Sequence, residues 1–299
     1  MFDTTRKSFV CKNVMPGLVC NFFEMDILGS LFLLTAVFSI YQIFIHLKSK
    51  KKFDKSLSFW FFLLIWQFFR GITSLVYFNY DMFTFSIVFI GFRRLIFFVP
   101  MCLVILILFE LLFTYRNPGT NIIIIFRWFI GVFLGTFLTL SVILSKCETS
   151  IDYSDDFNDQ SEPDLSLSFW GACSDLILCL FFAFPAIKLI NVVTTPMVPP
   201  ENAKCVNFTK IGIVVYILLF LGRSIYSATH FFNINLIQKF LNEQLNSNES
   251  ANLISRLISF FYYFFFELVP TVMAQIAVVL ITSHQIMFSE NPYYTRDID

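Results

Sequence analysis

Charged side chains are scarce. Asp, Glu, Lys and Arg together make up 14% of the 299 residues, whereas an ordinary soluble domain carries about 25%. The balance is neutral overall, so net charge points to no nucleic-acid or acidic partner. Histidine occurs three times, at His46, His230 and His284. The first and last fall near one expected membrane face and His230 near the other, so they cannot share a zinc ion as membrane metallohydrolases require. The seven cysteines form no CxxC pair, which argues against a zinc ribbon or a thioredoxin-type centre. No GxGxxG, GxxxxGK or GxSxG stretch is present, and the last long apolar run, Leu257–Thr282, holds no lysine for a retinal Schiff base. These gaps leave no enzyme class supported and call for no cofactor.

What the chain has in excess is apolar surface. It is 57% hydrophobic and contains 42 Phe, more than one buried core can absorb. A bilayer can absorb it. Spanning needs about 20 mostly apolar residues, and seven runs qualify: 27–45, 56–78, 92–115, 121–144, 167–190, 211–232 and 257–282. The expected fold is therefore all-α, a polytopic seven-transmembrane helix bundle. Residues 1–26 form a short lumenal N-terminus, 27–288 the helical domain and 289–299 a cytosolic tail. The N-terminal stretch shows no apolar core of signal-peptide length before residue 22, so the first span is expected to serve as the insertion signal.

Orientation follows from basic residues beside the spans. Lys48, Lys50, Lys51, Lys52 and Lys55 follow the first run, Arg116 and Arg127 flank the third loop boundary, and Lys188, Lys204 and Lys210 surround the stiff TTPMVPP stretch at 194–200. The opposite loops are poor in basic residues, and the one at 146–165 is strongly acidic. The N-terminus is thus expected in the lumen or outside, and the C-terminus in the cytosol. Of two glycosylation sequons, at Asn207 and Asn248, only Asn248 then lies in the lumen. Cys11, Cys20 and Cys147 are lumenal as well and read either as a disulfide source or as free thiols.

Six charged residues interrupt the runs: Arg70, Arg93, Arg94, Asp175, Arg223 and Glu267. Each costs about 2.5–3.5 kcal/mol at the bilayer centre, so such residues face the bundle interior and pair. Glu267 is expected to pair with Arg70, Arg223 or both, and Asp175 to lie near the lumenal-side arginines. Such an intramembrane polar cluster reads either as an ion network fixing helix register or as a lumen-facing pocket for an anionic ligand or lipid headgroup.

Several stretches taken together resemble a known family. They are Phe69-Arg70-Gly71-Ile72-Thr73-Ser74-Leu75, Val99-Pro100 with the apolar run to Glu110, Gly222-Arg223-Ser224-Ile225-Tyr226, Glu267-Leu268-Val269-Pro270-Thr271 and the tail Phe288-Ser289-Glu290-Asn291-Pro292. In order and in placement they resemble the plant tobamovirus multiplication proteins and their animal lysosomal relatives, seven-span orphan-receptor-like proteins. The resemblance spans residues 27–292 in islands; the acidic loop at 148–164 and the phenylalanine content depart from it. Rhodopsin-type receptors fit less well, because Glu110 and Arg116 are separated by LLFTY and Asn291-Pro292-Tyr293-Tyr294 lies beyond the last span.

The resemblance implies a non-catalytic scaffold or regulator of vacuolar, lysosomal or other endomembranes, with the plasma membrane a further location. Its partners would be small GTPases or trafficking adaptors. The alternative is a ligand-sensing receptor-like protein using the polar pocket. The lysine run at 48–55 reads as a topology determinant or as a patch for anionic lipid. Asn291, Pro292 and Tyr294 match an adaptor-binding NPxY tail, or else form a plain Asn-Pro turn.

Overall fold

The computed structural model describes residues 22–48, 54–75, 83–116, 120–149, 165–193, 203–231, 257–258 and 260–289. All are helical apart from Asp54. The helices are α1 (Phe22–Lys48), α2 (Lys55–Leu75), α3 (Phe83–Arg116), α4 (Thr120–Thr149), α5 (Leu165–Val193), α6 (Ala203–Phe231) and α7 (Val269–Ser289). A π-helical turn, Phe264–Leu268, leads into α7. Six apolar stretches among the described residues are long enough to cross a membrane: Glu24–Lys48, Lys55–Leu75, Ile123–Ile143, Phe169–Lys188, Ile211–Ala228 and Phe260–Leu280. The chain is thus a polytopic helical membrane protein, and each stretch overlaps one of the runs read from hydropathy. The remaining run falls on α3, which is 34 residues long and continuous through Pro100.

Local chemistry sets the entry to α2. The Asp54 carboxylate accepts a hydrogen bond from the Leu57 N–H at 2.8 Å, satisfying a donor that the first turn cannot pair internally. Along its length α2 lies against α1, and α5 lies against α6, in the two most extensive contacts of the bundle. Glycine makes the first contact close. A Cβ on Gly29 would stand 3.0 Å from the Gly71 carbonyl oxygen, and one on Gly71 would stand 2.7 Å from the Leu33 side chain. In lipid, where helices gain little from hydrophobic burial against each other, such backbone-close approaches supply the packing.

Central in the bundle is α3, which touches α2, α4, α5 and α7. Its Phe97, Phe98, Met101 and Val104 are fully buried. Aromatic rings fill the middle layer: Trp66 meets Phe97 at 5.0 Å between centroids, Phe97 meets Phe220 at 6.0 Å, and Phe220 meets Tyr216 at 4.7 Å. The outer faces are apolar and uncovered, most of all on α4, where Ile125, Trp128 and Val132 stand open as lipid-facing residues do.

One end of the bundle collects basic groups. His46 at the end of α1 lies 3.3 Å from the Ser56 hydroxyl at the start of α2. Glu110 on α3 is ion-paired with Lys55 and also receives Arg127 of α4, Nε at 3.1 Å and Nη2 at 2.7 Å. These pairs are half-exposed, and each contributes little by itself. Lys48 is exposed at the same end. Lys50, Lys51 and Lys52 lie outside the described residues, as do Asn248, residues 150–164 of the acidic loop, whose start at 146–149 belongs to α4, and the tail residues Asn291, Pro292 and Tyr294.

Candidate functional site: a buried charge cluster

Four of the intramembrane charges meet as two ion pairs. Arg70 Nε lies 2.5 Å from Glu267 Oε2, joining α2 to the π turn ahead of α7, with both side chains essentially sealed from solvent. Arg223 Nε lies 3.2 Å from Asp175 Oδ2, joining α6 to α5. The second contact is close enough for an ion pair but poorly aligned, and neither Asp175 oxygen accepts a hydrogen bond. The pairs are not isolated from each other. Asp175 and Arg223 both feel the charge of Glu267, and Asp175 also feels Arg94 of α3. Five helices therefore contribute to one electrostatic unit. The Arg93 side chain lies outside the described residues.

Why the cluster forms here is visible in the neighbours. Each paired guanidinium is covered by an aromatic face: Arg70 lies 4.3 Å from the Tyr263 ring centroid and Arg223 lies 4.5 Å from that of Phe97. Stacking of this kind is worth about 2 kcal/mol when desolvated, and guanidinium, being weakly hydrated, suits it better than ammonium would. Arg94 occupies space that any side chain on residue 171 would fill; a Cβ at Gly171 would collide with its guanidinium. Gly222 admits the Phe266 ring in the same manner, with a Cβ there standing 3.0 Å from it.

The helix that carries Glu267 is itself irregular. The Val269 N–H bonds to the Phe264 carbonyl, the wider spacing of a π turn. Pro270 has no N–H to offer the Phe266 carbonyl four residues earlier. Arg223 Nη1 takes its place, 3.3 Å from that oxygen. One arginine thus holds a carboxylate on α5 and the Phe266 carbonyl of the last span, to which Pro270 has no N–H to give.

Uncharged polar groups extend the site towards the basic end. Thr271 donates to the Glu267 carbonyl at 2.7 Å and accepts from Trp66 Nε1 at 3.1 Å. Further along, Ser39 donates to Gln67 Oε1 at 2.8 Å, and Gln275 Nε2 donates to Ser39 at 2.9 Å and to the Thr35 carbonyl at 3.1 Å. Gln67 and Gln275 carry no charge, so a search for charges that interrupt the apolar runs passes over them. Their spacing marks them: Gln67 is three residues before Arg70, and Gln275 is eight after Glu267, two turns along the same face.

The described residues thus bring Arg70, Arg94, Asp175, Arg223 and Glu267 together, and they leave Lys48 and Lys55 at the far end of the bundle. Set against protein-family profiles, curated proteins and solved structures, the chain finds no match in any of the three.

Proposed function

We propose that this chain is a non-catalytic, receptor-like protein of seven spans that senses a small ligand at the polar centre of its helices. What carries the reading is the convergence of Arg70, Arg94, Asp175, Arg223 and Glu267, from five helices, on one buried unit. Packing alone does not call for it, because apolar side chains of similar volume stabilise as well as a buried ion pair or better. Intramembrane ionisable groups instead mark ligand or ion sites. The π turn and Pro270 at the same level add a segment of α7 with more than one way to pair its backbone.

The seventh span in this reading is α3. Its buried centre, and its place among α2, α4, α5 and α7, support that assignment. The basic end formed by Lys48, Lys55, Arg127 and Lys188 is the cytosolic one, which sets the N-terminus in the lumen. The charge cluster then lies towards the lumenal side.

The test is a thermal-stability screen of the purified protein against small solutes grouped by charge. At least one class should stabilise saturably, and Glu267→Gln and Arg223→Gln variants that insert normally should lose the effect. A protein that no class stabilises is not a receptor of this kind.

A second reading keeps the family resemblance foremost. Here the chain is a vacuolar or lysosomal scaffold that recruits small GTPases or trafficking adaptors through Lys48–Lys55 and the tail. In its support, three resembling stretches, around Arg70, Arg223 and Glu267, meet at the cluster. Affinity capture from native membranes with organelle-marker imaging tests it. A chain that resides elsewhere and brings down neither class of partner sinks it.

A further inference from the structure

Three consecutive polar positions on one face of α2 are fully buried: Gln67, Arg70 and Ser74. Spacings of three and four residues set them one above another. Gln67 and Arg70 are each used on one side only. Gln67 accepts from Ser39 through Oε1, while its Nε2 has no partner. Arg70 gives Nε to Glu267, while Nη1 and Nη2 have none. The Ser74 hydroxyl has none either. All of these atoms can donate, and buried donors left without acceptors are costly enough to be rare. Tyr263 covers one face of the guanidinium at 4.3 Å, and the N–H bonds of the unpaired nitrogens point outward in the plane of the fork. That is the geometry in which arginine takes two oxygens of a carboxylate or phosphate.

The geometry points to a binding site for an anionic oxygen group, a phosphate or carboxylate, between α1, α2 and α7. Arg70 Nη1 and Nη2 form its fork, with Ser74 Oγ and Gln67 Nε2 on either side. This deepens the ligand-sensing reading and rests on it. The site is close to the lumenal end in that orientation: Arg70 is five residues before Leu75, the last described residue of α2, or about 7.5 Å along the axis. A free anion from the lumen and the phosphate of an anionic lipid share this chemistry.

The experiment uses the full-length protein in phosphatidylcholine nanodiscs. Radiolabelled inorganic phosphate and acetate are the soluble probes, and discs with added phosphatidic acid are the lipid probe. Thermal stability is the second readout. Saturable phosphate binding in competition with acetate supports the site and assigns a free anion. Stabilisation confined to phosphatidic acid discs supports it and assigns a headgroup. In either case Arg70→Lys, which keeps the charge and a partner for Glu267 but loses the fork, should abolish the effect. Ser74→Ala, a small change that leaves both ion pairs intact, should weaken it about tenfold. The proposal is overturned if no anionic probe binds, or if both variants bind as the parent does. It also fails if cationic or neutral solutes alone stabilise the protein, an outcome that leaves the receptor reading standing.

Discussion

Arg223 reaches the one backbone carbonyl of the last span that Pro270 deprives of its helical donor, with Nη1 3.3 Å from the Phe266 oxygen. The same side chain pairs with Asp175 at 3.2 Å. It therefore ties the angle of α7 to the packing of α5 on α6.

That link predicts an interaction between substitutions at positions 223 and 270. Arg223→Gln leaves Asp175 buried with its ion pair broken, which should cost about 3–5 kcal/mol. Pro270→Ala supplies an N–H and lets α7 close its own bond to Phe266. In the Arg223→Gln background it should recover about 1 kcal/mol, and a double-mutant cycle by unfolding in mixed micelles measures the coupling. Strict additivity would mean that Arg223 does nothing for the Phe266 carbonyl.

The Arg70–Glu267 pair leads to a second expectation. Either partner alone replaced by Leu strands a charge where both side chains are sealed, so each single variant should be destabilised by about 3–5 kcal/mol. Replacing both together removes the charges along with their desolvation, and the double variant should recover most of the loss. A double variant as unstable as the sum of the singles would show that the pair is not self-contained. Thermal unfolding of the four proteins decides it.

Much of this arrangement is legible in the residues, and the limits have physical causes. Among the described residues, the apolar runs mark six helices long and apolar enough to cross a bilayer, because length and hydropathy are all that the criterion needs. Arg70, Asp175, Arg223 and Glu267 stand out because each breaks such a run. Which charge pairs with which depends on helix order and rotation, and neither is written in a run of twenty apolar residues. Asp175 shows this: its position suggests Arg93 and Arg94, and Arg94 does act on it, yet its ion pair is with Arg223 because α5 and α6 pack along their length. The Ser39–Gln67–Gln275 chain carries no charge, so picking out only the charges that break the runs passes over it.

Glycines give a comparison within one protein. Gly29→Ala would set a Cβ 3.0 Å from the Gly71 carbonyl oxygen, and backbone cannot swing aside. It should destabilise by about 1–3 kcal/mol. At Gly131 and Gly135 on α4 a Cβ would meet nothing within 4 Å. Alanine there should be neutral or stabilising by about 0.5–1 kcal/mol, because a helical glycine costs that much in chain entropy. Equal effects at positions 29 and 131 would mean that α1 and α2 are not in close contact.

The last prediction concerns orientation. Asn207 and Asn248 both head sequons, and they fall on opposite sides of α6: Asn207 is in its first turns, and Asn248 lies outside the described residues between α6 and α7. If the basic end of the bundle is cytosolic, Asn207 never meets the lumenal glycosylation machinery, and Asn248 does. Expression in a glycosylating membrane system, followed by enzymatic deglycosylation, should shift the wild type and an Asn207→Gln variant by one glycan. An Asn248→Gln variant should not shift. Chain length supports Asn248 as an acceptor, because it sits 17 residues beyond the last described residue of α6 at Phe231, far enough at about 3.3 Å per extended residue to clear the membrane surface. Glycan on Asn207 would reverse the assignment. The cluster of Arg70, Arg223 and Glu267 would then lie towards the cytosol, and any ligand it takes would come from that side.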